Sequence, residues 1–408
     1  MSAALRARFS LHDRGANFAI AIALCAVGAG PAAAQPPVEA PVQPFYALTT
    51  SDSIGPAGSL IRAEAINADV PAGARAWRLL YASRGVHDEP IAVSALLLAP
   101  SSPAPKGGRP LVAWAHPTTG VATQCAPSLA RTKFKEIAGL DGLLAQGDVV
   151  VATDYPGLGT AGTHPYLVGV SEGRAVLDSV RAARALLKSE ASDRYALWGH
   201  SQGGHAALYA AELAKTYAPE LHLRGVAVAA PATALDILLR DDADSTGGRN
   251  ITAMTLWSWS RLYDLSLDPV LQPQARKTMD TLARECIESP LDLVERGWSG
   301  RPLKQHFLKV ADITRASPWN QLLRENTPGL TPPGIPVLIA QGDADNLVRP
   351  AVTEAYRDRL CAQGSAVRWL TLPKVGHGFI ARDAAPAVVD WLGDRLAGKP
   401  VVNDCPAQ

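Results

Sequence analysis

Short, largely apolar runs recur along the chain at Leu111–Ala115, Asp148–Thr153, Tyr195–Trp198 and Gly225–Ala229, and stretches of helical period separate them at Thr132–Ala145, Ser171–Ser189 and His205–Tyr217. Runs that stay apolar rather than alternating belong to strands covered on both faces. Interleaved with helices, they predict a mostly parallel central sheet with helices on both sides, because right-handed crossovers place them there. Two further runs, Ile335–Gln341 and Val367–Leu372, continue the rhythm. Upstream, Trp77–Ser83 and Pro90–Ala99 flank the polar stretch Arg84–Glu89, the pattern of an antiparallel hairpin at a sheet edge. Between 231 and 334 the rhythm breaks. Leu235–Arg240, Thr252–Leu265, Pro273–Cys286 and Ser289–Glu295 have helical period, and the same block carries Trp257, Trp259, Trp298 and Trp319. We read it as a helical cap inserted over the carboxyl ends of the strands, where open α/β sheets bind ligands. Some of its tryptophans are expected to line an apolar pocket, although filling the cap's own core is the commoner fate for any one of them.

The N-terminus has a different pattern. Arg6, Arg8 and Arg14 precede the apolar run Phe18–Val27 and the small-residue stretch Gly28–Ala34. This reads as a secretory signal over residues 1–34, with Ala32-Ala33-Ala34 as the cleavage site; an uncleaved anchor is the alternative. Residues 35–44 are proline-rich and read as a leader, leaving 45–408 as the catalytic domain with its cap at about 231–334. The expected location is extracellular or periplasmic. Removing the signal takes away Cys25 and leaves Cys125, Cys286, Cys361 and Cys405, an even number in a chain bound for an oxidising compartment. Three pairings are open. Cys125 with Cys286 and Cys361 with Cys405 is preferred, since Cys405 then ties down the tail. No C-x-x-C or H-x-x-x-H spacing supports a metal site. Lys and Arg total 39 against 38 Asp and Glu, which leaves no basic field for nucleic acid.

Chemistry concentrates at the strand ends. Gly199-His200-Ser201-Gln202-Gly203 lies directly between an apolar strand and a helix, the context of a nucleophile elbow whose strained turn requires small flanking residues. A serine hydroxyl needs a base to take its proton, and the base needs a carboxylate to orient it. Downstream, Gln341-Gly342-Asp343-Ala344-Asp345 follows the fifth strand of the parallel series and Gly376-His377-Gly378 follows the sixth. The expected set is Ser201, His377 and Asp345, with Asp343 capping the turn. One oxyanion donor is expected from the Gln202 N–H. The second is expected from Thr118 or Thr119 in Ala115-His116-Pro117-Thr118-Thr119-Gly120, because Pro117 has no N–H. His116 is read as shaping that loop, and His200 and His205 as packing residues. Asp154-Tyr155-Pro156-Gly157-Leu158-Gly159 is read as a turn lining the site or holding the elbow.

Together, these segments resemble the secretory lipase family of α/β-hydrolases. The resemblance implies an α/β-hydrolase fold, hydrolysis of carboxylic esters without a cofactor or metal, disulfides, and a helical lid. The expected partner is a small-molecule or lipid ester, with transient contact at a lipid interface; the sequence leaves oligomeric state open. Pro117 departs from the glycine expected of the family. A serine peptidase of the same fold and a catalytically silent binding protein are the competing readings. Tannase-type feruloyl esterases are disfavoured because no cysteine flanks Ser201 or His377.

Overall fold

The computed structural model describes residues 42–406. The expected signal segment, and the leader up to residue 41, lie outside the described residues. Nine strands form one sheet in the order β1-β2-β3-β5-β4-β6-β7-β8-β9. They are β1 (Leu60–Ile66), β2 (Ala74–Arg84), β3 (Pro90–Pro100), β4 (Arg109–Ala115), β5 (Val149–Thr153), β6 (Ala191–His200), β7 (His222–Ala229), β8 (Val337–Gly342) and β9 (Val367–Leu372). The helices are α1 (Leu140–Gln146), α2 (Gly169–Leu187), α3 (Gln202–Tyr217), α4 (Leu235–Asp241), α5 (Thr246–Leu262), α6 (Ala275–Arg284), α7 (Pro290–Ser299), α8 (Trp319–Glu325), α9 (Pro350–Ala362) and α10 (Ile380–Leu396).

From β4 onward every pairing is parallel, while β1, β2 and β3 join antiparallel at one edge. The expected hairpin forms and runs longer than the apolar pattern showed, in register from Ala74 opposite Pro100 to Arg84 opposite Pro90. The edge strand β1 was not anticipated. Its Arg62 and Glu64 break up any apolar run, as suits a strand paired on one side only.

The two faces of the sheet bury separate cores, and strand alternation assigns each side chain to one of them. Leu111, Ala113, Leu197, Val226 and Ile339 face α2, α3 and α9. Val112, Trp114, Trp198, Ala227 and Leu338 face α1, α10 and the insertion between β7 and β8. Crossovers thus cover both faces, which is why these strands are apolar throughout.

The expected helix over Thr132–Ala145 shrinks to α1. Gly139 adopts a left-handed φ of +80°, and a Cβ there would come within 2.8 Å of Val389 on α10, so a turn replaces the earlier helical period. The insertion contains α4 to α8. Trp257, Trp259 and Trp319 are buried in its core, while Trp298 is 60% exposed. Indole N–H groups of Trp257 and Trp259 donate to Asp280 Oδ1 (3.1 Å) and the Tyr166 carbonyl (2.8 Å).

Both preferred cysteine pairs form disulfides, Cys125–Cys286 and Cys361–Cys405. The second ties the C-terminal tail to the end of α9 across 44 positions. Closing a loop of that size restricts the unfolded chain, an effect worth about 2–4 kcal/mol. The Cys361→Ala/Cys405→Ala double variant is therefore expected to lose about that much unfolding free energy in a denaturant titration.

Candidate active site

Ser201 sits at the tip of β6, one residue before α3, with φ +56° and ψ −117°. That left-handed backbone is strained for a serine and persists only when its surroundings hold it. The glycines are required by close approach. A Cβ on Gly199 would lie 2.1 Å from the Gly203 carbonyl, and one on Gly203 would lie 1.9 Å from the Ala115 carbonyl. Hydrogen bonds from Ser201 N–H to the Ala229 carbonyl (3.0 Å) and from His205 N–H to the Ser201 carbonyl (3.0 Å) fix the turn between β7 and α3.

The loops after β8 and β9 bring their residues to this tip. Asp345 is buried, and its Oδ2 lies 2.7 Å from His377 Nδ1; His377 Nε2 lies 2.9 Å from Ser201 Oγ. Since the carboxylate accepts, the ring proton lies on Nδ1, and Nε2 presents its lone pair to the serine hydroxyl. Asp345 Oδ1 accepts from the N–H groups of Leu347 and Val348, both at 2.9 Å, which aims the carboxylate. Asp343 points elsewhere: exposed, it accepts from Lys374 N–H at 2.5 Å and joins the two loops.

The threonines after β4 separate in role. Thr118 lines the cavity at Ser201 and Gln202, and its hydroxyl lies 2.9 Å from the Tyr166 hydroxyl. Thr119 does not line that cavity. Its hydroxyl donates to the Cys125 carbonyl (2.8 Å), and its own carbonyl accepts from Ile287 N–H (2.8 Å). His116 is buried with its ring nitrogens at the carbonyls of Pro117 (2.6 Å) and Asp154 (3.3 Å), and burial lowers its pKa to about 4. It is a neutral brace for the loop.

His200 donates from Nε2 to the backbone carbonyl of His377 (3.0 Å). Burial, then the neighbouring His377 ring, lowers its pKa to about 3, so it too is neutral. The turn after β5 does not line the cavity. Asp154, fully buried, accepts from the Ser128 N–H (2.8 Å) and from the hydroxyls of Ser94 (2.6 Å) and Ser128 (2.5 Å), pinning the segment that follows the β4 loop. Sequence reasoning missed Tyr166, Glu172 and His164, which also cluster behind this loop and elbow.

The cavity beside Ser201 is narrow, with a volume of about 30 Å³. Leu238, Leu239 and Ile251 of the insertion and Leu347 and Val348 of the Asp345 loop form an apolar wall. No tryptophan lines it, contrary to expectation: Trp257, Trp259 and Trp319 are buried in the insertion's core, and Trp298 is exposed on α7. The one acidic lining residue is Asp242, whose Oδ1 accepts from Arg349 Nη2 (3.1 Å) and whose pKa burial raises to about 6. Among the described residues no cluster of side chains could hold a metal ion.

This arrangement, a serine on an elbow with imidazole and carboxylate from later strand ends, is that of the α/β-hydrolases. Lipase A of Candida antarctica shares the fold, with a TM-score of 0.73, 19% identity, and 90% of this chain and 89% of that one covered. The chain belongs to the secretory lipase family, whose model matches residues 129–404, and it is a carboxylic ester hydrolase. Lipase 10 of Candida albicans is 27% identical over 357 residues, covering 81% of this chain and 74% of that protein. A probable inactive lipase of Mycobacterium tuberculosis is 27% identical over 350 residues, covering 82% and 76%.

The elbow geometry makes a direct prediction. Gly203→Ala should cost at least about 3 kcal/mol of unfolding free energy, on the scale of the larger packing and strain defects. Gly378→Ala, where a Cβ meets nothing within 4 Å, should change little in the same denaturant titration.

Proposed function

We propose that Ser201 is the nucleophile, His377 the general base and acid, and Asp345 the residue that orients His377, in hydrolysis of lipid-soluble carboxylic esters. The observation that carries this reading is the unbroken hydrogen-bonded line from Asp345 through His377 to Ser201. Ser201 Oγ attacks the ester carbonyl while its proton passes to His377 Nε2. The imidazolium then protonates the departing alcohol, and a water repeats the sequence to release the acid. Buried Asp345 stabilises the imidazolium without taking its proton. The oxyanion forms against the Gln202 N–H at the free first turn of α3, with Thr118 on the opposite wall supplying the second donor.

A silent binding protein is the reading that the inactive relative raises. It is disfavoured because nucleophile, base and carboxylate are all present and in contact. An apolar cavity wall beside the serine suits an acyl chain. The family is secretory, the disulfides fit an oxidising compartment, and among the described residues no helix is long and apolar enough to cross a membrane. We therefore assign residues 1–34 as a cleaved export signal and the mature enzyme to the periplasm or the exterior, with the insertion at about 231–334 as the cap.

Helix α7 supports contact with a lipid interface. Leu291, Val294 and Trp298 recur at helical spacing with Leu293 beside them, and all four are more than half exposed. The opposite side of the helix is anchored by buried Arg296, which donates to the Leu282 and Glu285 carbonyls. The segment before α7 is joined to the Thr118 loop by Cys125–Cys286.

In p-nitrophenyl ester assays, Ser201→Ala should abolish turnover. Asp345→Asn should lower kcat by about 10⁴-fold, as expected when the imidazole loses its orienting carboxylate, and Asp343→Asn should change it by less than about threefold. The opposite ranking of the two aspartates rejects the assignment. For α7, Leu291→Ser/Trp298→Ser should slow hydrolysis of an emulsified long-chain triacylglycerol by about tenfold, a modest share of the burial energy of two large apolar side chains. Hydrolysis of soluble p-nitrophenyl acetate by that variant should hold, and equal losses on both substrates would remove α7 from the interface.

A further inference from the structure

Behind the elbow lies a polar cluster that the reaction as described leaves without a purpose. Glu172 on α2, His164 in the loop before it and His205 on α3 have no solvent exposure, and Gln202 is nearly as buried. The Gln202 amide Nε2 lies 2.7 Å from Glu172 Oε1 and 3.1 Å from His164 Nε2.

The partners settle which way these bonds run. His164 Nδ1 faces the Pro156 carbonyl at 2.9 Å, and a carbonyl only accepts, so the ring proton lies on Nδ1 and Nε2 offers a lone pair. Burial lowers the His164 pKa to about 3, which keeps that lone pair free. The two N–H bonds of the Gln202 amide are therefore both used, one on each acceptor. Glu172 Oε1 also accepts from Leu167 N–H (3.1 Å). His205 donates from Nε2 to the Asn326 carbonyl (2.7 Å), and its Nδ1 lies 3.4 Å from Glu172 Oε2.

Fully buried polar groups of this kind are costly unless they are partnered. The bonds to Gln202 Nε2, Glu172 Oε1 and His164 meet that cost in part, while Gln202 Oε1, Glu172 Oε2 and His205 Nδ1 have no hydrogen-bond partner among the described residues. The cluster grips the residue that follows the nucleophile at the point where the backbone is strained. Ser201 holds its left-handed φ only under constraint from both sides, and on the helix side the Gln202 side chain supplies a constraint independent of the glycines.

We infer that the Gln202 side chain, clamped by Glu172 and His164, holds the first turn of α3 so that the Gln202 N–H faces the developing oxyanion, making Glu172 and His164 positioning residues for the reaction. The inference rests on the proposed role of that N–H. An N–H that is displaced, rather than lost, forfeits part of the 10²–10³-fold contribution of an oxyanion donor. The signature is a loss in kcat and in affinity for tetrahedral mimics, with ground-state binding unchanged.

The test uses the full chain, with active sites titrated by a fluorophosphonate in the variants that retain Ser201 and rates for Ser201→Ala taken per total protein. For Ser201→Ala, Gln202→Ala, Gln202→Met, Glu172→Ala and Glu172→Gln, kcat and KM are measured with p-nitrophenyl butyrate. Ki is measured, for the variants that retain Ser201, with an alkyl trifluoromethyl ketone, which forms an oxyanion adduct on that serine. Gln202→Ala is expected to lower kcat per titrated site by about 10–100-fold, with KM within about twofold and Ki raised in parallel with the loss in kcat. Glu172→Ala should move the same way, and Glu172→Gln, which keeps an acceptor for the amide, should recover most of the loss. Gln202→Met keeps the side-chain volume and gives the same reading if the alanine variant does not fold. A lower titratable fraction with unchanged kcat and Ki per site means the cluster only stabilises the fold, and overturns the inference. If Ser201→Ala is inactive while both Gln202 variants keep kcat and Ki, the clamp alone fails. Activity retained in Ser201→Ala brings down the site reading itself, and the clamp with it.

Discussion

The backbone of the residue after His200 is bent into a region of φ and ψ that serine seldom visits, and the chain on either side is packed so closely that Gly199 and Gly203, two positions away in each direction, have no room for a Cβ. Gly203 lies against the carbonyls of Ala115 and His116, and Gly204 lies against Pro231. Three strand ends, β4, β6 and β7, therefore meet at van der Waals distance around one turn. This proximity lifts the Ser201 hydroxyl clear of the sheet, aligns the first turn of α3 with the β4 loop, and leaves the loops after β8 and β9 as the remaining routes by which other side chains reach it.

Histidines crowd this region, and burial sorts them. His116, His164 and His200 are enclosed, their pKa values fall, and each spends ring nitrogens on backbone carbonyls or on the Gln202 amide. They act as neutral struts. His377 differs in its partners: a carboxylate on one nitrogen and a hydroxyl on the other, with 16% of its side chain open to solvent. The same side-chain chemistry thus serves as a scaffold at three positions, while at His377 the partners on the two nitrogens are those the proposed proton transfer requires.

The parallel sheet and the three strand-end residues were legible in the sequence because each leaves a local mark: an apolar run, a pair of glycines, a chain order. Ser201, Asp345 and His377 all stand beside such marks. Glu172 and His164 carry none. A glutamate early in a helix reads as a surface acid, and only the packing of α2 against α3 buries it. The tryptophans misled for a related reason, since large apolar side chains signal burial without saying whether a core or a cavity encloses them. In α1 the period ran through Gly139, and the left-handed turn there depends on Val389, some 250 positions downstream. Thr118 and Thr119 were indistinguishable by sequence; their partners, Tyr166 and the Cys125 carbonyl, come from other parts of the fold.

The Cys125–Cys286 bond holds two Cα atoms 5.1 Å apart, one just beyond the Thr118 loop and the other between α6 and α7 of the insertion. Whatever admits a bulky ester to the cavity, this margin stays put. The bond fixes the α6–α7 side of the insertion to the segment beyond β4, whereas α4 and the start of α5, which reach the cavity through Leu238, Leu239, Gly248 and Ile251, carry no covalent cross-link to the rest of the fold.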